Sequence, residues 1–352
     1  MRCVLLGLVL SVVCGCTYPG EPGHGTDPRL ANAAETSAAA PPPERRLRRR
    51  EGAQAGQVIR KLGTVDCDMV ETTPVVFRGR LYRFESVRAG HRSNPTGKSF
   101  FRLVNVATGD ATPSFAEGHH LGCAFVEGEA VYVYGVEAWG ASRIDVFRSD
   151  DLKTWTAQPA LERPGWGIYN TSVCRGPGGY VMAIELDKPP EEVRVGFTNR
   201  FAVSDDLVHW KPTGPECVFA KDRYTACPTL RYLDGFYYVV YLEAKPGPAY
   251  ETFIVRSKDL VHWESSPLNP VLRASAEDKP IAEPRLTAEQ RARIAGAVDR
   301  NNSDMDFCAF GGKVAIFYSW GNQEGVEFLA LAEYDGKLTD FLRGFFPPPP
   351  GR

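Results

Sequence analysis

The chain has 352 residues, of which 43% are hydrophobic and 24% charged, with a formal net charge of −2. This composition is typical of a soluble globular protein with enough apolar residues for a sizeable core. The near-neutral charge argues against nucleic acid as a partner, and we interpret the one basic run, RRLRRR at 45–50, as part of a solvated tether.

The first residues have the pattern of an export signal. Arg2 precedes an apolar segment, residues 4–13, that is too short to span a bilayer as a mature helix. The segment ends in VVCGC, which resembles a bacterial lipobox and implies lipidation of Cys16 after removal of the preceding residues. We therefore expect residues 1–16 to be a lipoprotein signal peptide, and the protein to reside in a bacterial cell envelope with its lipid anchor as the sole membrane contact. The alternative is an ordinary signal peptide that contains cysteines.

Residues 17–56 are rich in proline, alanine and arginine and poor in aromatic residues, so they cannot bury a core. We predict a disordered linker there, a folded domain over 57–346 and a short tail over 347–352. Six cysteines lie within the predicted domain, without a CxxC pair or metal-like spacing, at positions 67, 123, 174, 217, 227 and 308. We expect most of them to be small buried hydrophobes; the alternative is that some form one or two disulfide bonds, whose pairing the sequence does not indicate.

The motif S-x-D-L-x-x-W occurs three times, at 149–155, 204–210 and 257–263. Serine and aspartate side chains can accept hydrogen bonds from the backbone amides of a turn. Leucine and tryptophan can fold back into an apolar seam. The motif therefore predicts a structural staple between two strands, and not a catalytic role for Asp151, Asp206 or Asp259.

A second pattern, a glycine turn followed by an alternating apolar run, occurs five times at intervals of about 50 residues. Its anchor glycines are Gly79, Gly128, Gly179, Gly235 and Gly312. Five such units predict an all-β fold, a five-bladed β-propeller of four-stranded antiparallel blades. The last interval contains an insertion, in which Thr287 and Gln290 predict a capping box that opens a short helix near 286–298.

The three motif copies and the five hairpins resemble the five-bladed glycosidases of glycoside hydrolase families 43, 32, 62, 68 and 117. The resemblance extends over most of residues 60–345. It implies a carbohydrate substrate bound at the propeller axis. Inversion is the rule for family 43, whereas families 32 and 68 retain. An axial calcium ion is compatible with the resemblance, although no ligand spacing demands it.

In such a ring the inner strands begin at an axial pocket. The residues eight places before each anchor glycine are Glu71, His120, Thr171, Cys227 and Asp304. Period-2 alternation places Asp306 on the same side as Asp304, and Asn170 is the neighbour of Thr171. We expect these side chains to face one cavity.

Glycoside hydrolysis requires two carboxyl groups across the scissile bond. Blade one of family 43, which this chain resembles, usually opens with an aspartate base just before a proline; here Glu71 lies nearby, three residues before Pro74, so the correspondence is approximate. Blade three of the family supplies an aspartate that tunes pKa values, and here Asn170 occupies that region. Blade four usually supplies a glutamate acid, whereas this chain has YTACP at 224–228, without a carboxylate.

We therefore expect Asp304 or Glu71 to activate water, and Glu185 or Glu243, which follow apolar runs, to donate the proton. His120 is a further candidate donor. The expected substrate-binding residues, with Trp320 as a stacking platform and amides as hydrogen-bonding groups, are His120, Asn170, Arg223, Asp306, Trp320, Asn322 and Gln323. The structural alternatives are that Glu185 and Glu243 form ion pairs with arginines, that Glu71 caps a turn, and that Asp304 forms an Asx-turn.

Together these features predict an inverting glycoside hydrolase acting on a poly- or oligosaccharide, and a monomer is expected. The main alternative is a non-catalytic glycan-binding propeller, favoured by the missing carboxylate in blade four. A third alternative, a protein-interaction propeller, would predict a rim without the clustering of carboxylates with Trp320, Asn322 and Gln323.

Overall fold

The computed structural model describes residues 59–91, 94–246, 249–322 and 327–348. The predicted signal peptide with Cys16, the linker and Gln323 lie outside the described residues, so export, lipidation and the linker stay predictions. None of the helices in the described part of the chain has the length and apolar character needed to cross a bilayer.

Five antiparallel sheets follow one another as blades, and their strands are numbered in chain order. Blades one and two contain β2 (Thr73–Phe77), β3 (Arg80–Val87) and β4 (Phe100–Asn105), then β5 (His120–Glu127), β6 (Ala130–Val136), β7 (Arg143–Ser149) and β8 (Thr156–Glu162). Blade three contains β9 (Gly167–Gly176), β10 (Gly179–Lys188), β11 (Thr198–Ser204), β12 (Lys211–Pro212) and β13 (Val218–Phe219). Blade four contains β14 (Ala226–Leu233), β15 (Phe236–Lys245), β16 (Ala249–Ser257) and β17 (Trp263–Ser265). Blade five contains β1 (Arg60–Cys67), β18 (Asn301–Phe310), β19 (Lys313–Gly321) and β20 (Glu327–Tyr334).

The inner strands β2, β5, β9, β14 and β18 contact one another in a closed ring, each touching the inner strands of both neighbouring blades. The five-bladed β-propeller prediction is confirmed. The predicted hairpins are also present, since each anchor glycine lies at the turn between the first two strands of its blade.

The prediction of four strands in every blade is wrong for two blades. Blade one has three strands, because the chain after β4 returns only through isolated bridges, such as Phe101 with Phe115. The outer edge of blade three is divided into the short strands β12 and β13, which both pair with β11. Pro212 and Pro215 interrupt this edge, because proline cannot donate to a sheet ladder.

Blade five is built from both ends of the described chain. β1 pairs antiparallel with β20, from Arg60 opposite Glu333 to Cys67 opposite Phe328. This pairing closes the ring. The repeat pattern did not reveal it, because residues 60–67 precede the first glycine turn and carry no copy of the hairpin pattern.

The predicted helical insertion is confirmed and lies between β17 and β18. It contains a short 3-10 helix (Ala276–Asp278) and α2 (Ala288–Gly296), where Thr287 and Gln290 form the reciprocal capping box. Two further short helices are α1 (Pro190–Val193) and α3 (Leu338–Gly344). The insertion packs against β1: the Thr64 amide donates to Pro280, and buried Asp278 accepts from Lys61 and Tyr318.

Buried apolar side chains form five clusters, each joining two adjacent blades. The motif tryptophans lie at three of these seams. Trp155 stacks on Phe115 at 3.8 Å, and Trp210 meets Tyr134 edge-on at 5.6 Å. Trp263 stacks on Phe201 at 5.6 Å. Each tryptophan therefore packs against the blade that precedes its own.

The polar residues of the motif hold the turn before the outer strand. In the second copy, Ser204 Oγ accepts from the Leu207 amide at 3.0 Å, and Asp206 Oδ1 accepts from the Val208 and His209 amides at 2.8 Å. Leu207 is buried with φ +67°. The first and third copies repeat these bonds, which supports the staple interpretation.

The six cysteines of the described residues are all free thiols; three of them, Cys67, Cys123 and Cys174, are buried and the other three are half-buried. Burial raises the pKa of Cys123 and of Cys174 to about 12. These cysteines behave as small hydrophobes, and the disulfides that the sequence left open are absent from the described part of the chain.

We predict that the staple makes stability pH-dependent. Hydrogen bonds from the Thr154 and Lys153 amides lower the pKa of Asp151 to about 2. Hydrogen bonds from His209 lower the pKa of Asp206, and hydrogen bonds from His262 lower the pKa of Asp259. A carboxyl with a lowered folded-state pKa stabilises the fold above its unfolded pKa, near 4, and loses this effect as the pH falls towards 2. The free-energy advantage of the wild type over the triple variant Asp151→Asn, Asp206→Asn, Asp259→Asn should therefore shrink between pH 6 and pH 3 in urea unfolding.

The matched control is Asp150→Asn with Asp205→Asn, which changes the neighbouring aspartates of the same motif and leaves the stapling carboxylates in place. An advantage over the triple variant that stays constant with pH would contradict the prediction.

Candidate active site

The inner strands begin at one end of the ring, which we call the mouth. There they surround a cavity of about 30 Å³, whose lining includes Glu71, Thr72, Asn170, Cys227, Asp304 and Asp306. The cavity lies where counting back from the anchor glycines placed it. Of the five residues counted in this way, His120 alone is not part of the lining.

Left-handed backbone recurs at the mouth. Glu71, Leu121, Cys227 and Asp304 have φ between +51° and +54°, although none of them is glycine. In blades two, four and five the ladder between the first two strands shifts register at this place, as it does at a β-bulge. A bulge re-aims a side chain, and non-glycine residues with positive φ concentrate at functional sites.

The place of the anchor glycine in its turn explains the position of His120. Gly128 is the first of the two residues between β5 and β6, whereas Gly79, Gly235 and Gly312 are the second residue of the corresponding turns. Counting eight places back therefore stops one place early in blade two, at His120 and not at the left-handed Leu121. His120 lies beside the cavity, with Nε2 3.1 Å from Ser99 Oγ. Burial and the nearby Arg88 lower the pKa of His120, which reduces its population of imidazolium and makes it a poor proton donor.

Asn170 connects two carboxyl groups. Its Nδ2 lies 2.9 Å from Glu185 Oε2 and 3.4 Å from Glu71 Oε1. Because one nitrogen contacts both, these two oxygens are at most about 6.3 Å apart. Glu185 is 2% exposed, and it also accepts from the Cys227 amide at 2.8 Å. Burial raises the pKa of Glu185 to about 7.

Arg88 connects Glu71 to a further acid. Its Nη2 lies 2.7 Å from Glu71 Oε2, and its Nη1 lies 3.9 Å from Glu327 Oε2. Burial raises the pKa of Glu327 to about 7, against the opposing effect of Arg88. The sequence analysis missed both residues. Arg88 directly follows β3 and Glu327 opens β20, so both could have been found by examining where second strands end and third strands begin.

Asp304 and Asp306 have different environments despite their spacing. Burial, and then the neighbouring Glu71, raise the pKa of Asp304 to about 6, and Ser303 donates its hydroxyl to it. Asp306 is buried in an ion pair with Arg231 and accepts from the Phe307 amide at 2.6 Å. Asp304 is thus available for chemistry, whereas Asp306 is held in a structural ion pair.

Three predicted site residues, Glu243, Arg223 and Trp320, lie away from this group. Glu243 pairs with Arg223 at 2.9 Å and accepts from the Tyr241 hydroxyl at 2.8 Å, as the ion-pair alternative stated. Trp320 is fully buried, stacks on Phe328 at 4.5 Å and donates to Thr64 at 2.9 Å. It faces β1 and not the mouth, so the expectation of a sugar platform at Trp320 is wrong. Asn322 is half-buried and follows β19, whose last residue, Gly321, pairs with Asn301 and Glu327 at the mouth end of the blade.

Aromatic side chains form an arc over blades two to four, which we call the aromatic arc. Successive ring centroids lie 5.0–6.1 Å apart along Trp139, Tyr169, Phe197, Tyr224 and Tyr250. All five lie in loops or strand ends on the mouth side. Trp139 is 41% exposed, and Arg88 lies 5.1 Å from its ring. Sequence reasoning missed the arc because its members come from separate loops without a common spacing.

Solved structures share this fold. A structure described as a glycoside hydrolase matches with a TM-score of 0.56 and 14% identity, over 84% of this chain and 96% of that one. A family 43 protein from Bacillus licheniformis matches with a TM-score of 0.50 and 11% sequence identity, and the match covers 78% of this chain and 54% of that one.

A third structure comes from work on family 130, reported as mannoside phosphorylases that include glycoside hydrolases targeting β-1,2 mannosidic linkages in Candida mannan. It matches with a TM-score of 0.52 and 12% identity, over 80% of this chain and 95% of that one. No protein-family model matches the sequence, and no curated protein matches it significantly. At these identities the likeness shows the five-bladed propeller fold, which glycoside hydrolases also use.

Proposed function

We propose that this protein hydrolyses glycosidic bonds at the mouth of its axial cavity. The observation that carries the proposal is the convergence of Glu71, Glu185, Asp304 and Glu327, from three different blades, around Asn170 and Arg88. The same fold in solved glycoside hydrolases supports it. The reaction needs one carboxyl that is protonated and one that is ionised, and this group offers both kinds.

Asp304 and Glu71 are suited to activate the attacking water. One oxygen of each lies within 4.8 Å of the other, and Arg88 compensates the charge of Glu71. A water held between them would lose its proton to a carboxylate as it attacks the anomeric carbon.

Glu327 is suited to donate the proton to the leaving group. Inverting enzymes separate their two carboxyl groups by about 6.5–9.5 Å. Glu71 lies closer than this to both Asp304 and Glu185, so these three act as one cluster and the acid must come from elsewhere. The side chain of Glu327 is 12% exposed, and its pKa of about 7 leaves much of it protonated near neutral pH. We assign Glu185 to positioning Asn170, because it is buried.

The aromatic arc supports a carbohydrate substrate. Sugar rings present C–H faces that pack on aromatic side chains, while polar groups fix their orientation. The cavity of about 30 Å³ is too small for a sugar ring. The sugar must therefore lie above the cavity, between the carboxyl groups and the arc.

A non-catalytic glycan-binding propeller is the second candidate. The missing carboxylate in blade four favours it, since YTACP at 224–228 stands in the region where family 43, which this chain resembles, has its acid. Binding without turnover in the experiment below would select this candidate.

We predict that Glu327→Gln, Asp304→Asn and Glu71→Gln each lower kcat by about 10²–10⁴-fold, the range for loss of a general acid or base. Activity should first be found by testing furanoside and pyranoside aryl glycosides and plant or algal polysaccharides. Loss of the proton donor should matter most for poor leaving groups. Glu327→Gln should therefore retain more activity on a dinitrophenyl glycoside than on an alkyl glycoside, whereas Asp304→Asn should lose both equally.

The matched control is Glu129→Gln, because Glu129 is an exposed glutamate at the hairpin turn opposite the mouth. Activity that survives in all three mouth variants would refute the assignment. Proton NMR of the first-formed sugar anomer tests inversion, and a product that keeps the substrate configuration would contradict it.

We also predict that Trp139→Ala raises KM for oligosaccharides by about 10-fold, the loss of roughly one stacking contact, and leaves kcat for a monosaccharide aryl glycoside nearly unchanged. The matched control is Phe310→Ala, since Phe310 is 39% exposed at the far end of β18. An equal effect of both substitutions would show that the arc has no special role.

A further inference from the structure

Cys227 lines the cavity, and the proposed hydrolysis gives its thiol no role. Its thiol, a carboxyl oxygen of Glu71 and a carboxyl oxygen of Asp304 all lie within 4.8 Å of one another. The three residues come from blades four, one and five, and each has left-handed backbone. Side chains from three distant parts of the chain thus aim ligand atoms at one point on the axis.

The cavity beside these atoms has the size of a small ligand. Its volume of about 30 Å³ holds a cation with one or two waters and excludes a sugar ring. Thr72 lines the same cavity and is 2% exposed, and its hydroxyl has no hydrogen-bond partner among the residues that the structure describes. Buried polar groups nearly always have partners, so an unpartnered hydroxyl at this cavity indicates an additional polar species.

The donor set selects the class of cation. A thiolate with two carboxylates suits Zn²⁺ or a similar thiophilic divalent ion, whereas calcium and magnesium take oxygen ligands. An axial calcium, which the resemblance allowed, therefore fits these residues poorly. Zn–S and Zn–O bonds of about 2.3 and 2.1 Å place tetrahedral ligand atoms roughly 3.3–3.8 Å apart. Closing the observed group to this geometry requires side-chain movements of about 1 Å.

The surroundings support such a site. Asn170 Nδ2 lies 3.3 Å from Cys227 Sγ and can donate to a bound thiolate, as partners of metal ligands commonly do. Arg88 holds Oε2 of Glu71, while Oε1 makes a long contact of 3.4 Å with Asn170 Nδ2. The positive charge of Arg88 would weaken cation binding, but the combined negative charge of the two carboxylates and the thiolate outweighs it.

We propose that Glu71, Cys227 and Asp304 bind one thiophilic divalent cation, best fitted by Zn²⁺, with its fourth position open towards the mouth. Three protein ligands with an open position is the arrangement of catalytic zinc sites. A bound cation would acidify a water at the place where the proposed hydrolysis needs one. Binding itself requires no sugar and holds whether or not the protein is a hydrolase.

The test is zinc binding by the full-length protein after removal of metals with a chelator, measured by competition with a chromogenic zinc indicator. We expect one Zn²⁺ per chain, with affinity lowered at least 100-fold in Cys227→Ala. Added Zn²⁺ should raise the thermal unfolding midpoint of the wild type and not that of the variant, since a ligand that binds the folded state stabilises it. Co²⁺ should give a thiolate-to-metal absorption band that is lost in Cys227→Ser.

The matched control is Cys217→Ser, a half-buried thiol outside the cavity, which should bind as the wild type does. Cys3, Cys14 and Cys16 are present in all these proteins, so binding that persists unchanged in Cys227→Ala overturns the proposal, as does absence of stoichiometric binding to the wild type. Asp304→Asn should weaken binding independently of Cys227, which separates loss of a ligand from a local effect of the cysteine substitution. Failure to find any glycosidase activity would leave each of these readouts intact.

Discussion

Apolar packing between adjacent blades is the interaction on which the whole arrangement depends. Strand hydrogen bonds join residues within a blade, but the five buried clusters join one blade to the next. Three of these seams use the motif tryptophans, and the seam between blades four and five uses apolar residues of α2 and α3. Since every inner strand takes its position from the two seams beside it, this packing also determines how far apart the axial carboxyl groups lie.

Burying carboxyl groups at the mouth costs free energy, and local hydrogen bonds and ion pairs offset part of this cost. Glu185 accepts hydrogen bonds from the Asn170 side-chain amide and from the Cys227 backbone N–H, and Glu71 forms an ion pair with Arg88. Even so, burial keeps the pKa of Glu185 and Glu327 near 7. Left-handed backbone at Cys227 and Asp304 adds conformational cost. Departures from local rules of this kind are expected at functional sites.

Local patterns in the sequence predicted what depends on local chemistry. The glycine turns, the S-x-D-L-x-x-W staples and the Thr287 capping box were all recognisable, and the repeat placed Glu71, Cys227 and Asp304 on one axis. Features set by distant partners were not recognisable: the pairing of β1 with β20, the burial of Trp320 against Phe328, and the ion pair of Glu243 with Arg223. Counting back from the glycines also failed in blade two, where Gly128 lies one place earlier in its turn than the anchor glycines of blades one, four and five do, so that the count selected His120.

Ring closure by the strand Arg60–Cys67 has a consequence for biosynthesis. A ribosome produces β1 first and its partner β20 last, so the first strand must wait unpaired until nearly the whole domain has been made. Such a long-range contact slows folding, and exposed strand edges and apolar surfaces invite aggregation in the meantime. The last seam can therefore form only once β20 has been synthesised, and newly made chains of this protein should depend on a holding chaperone during that interval.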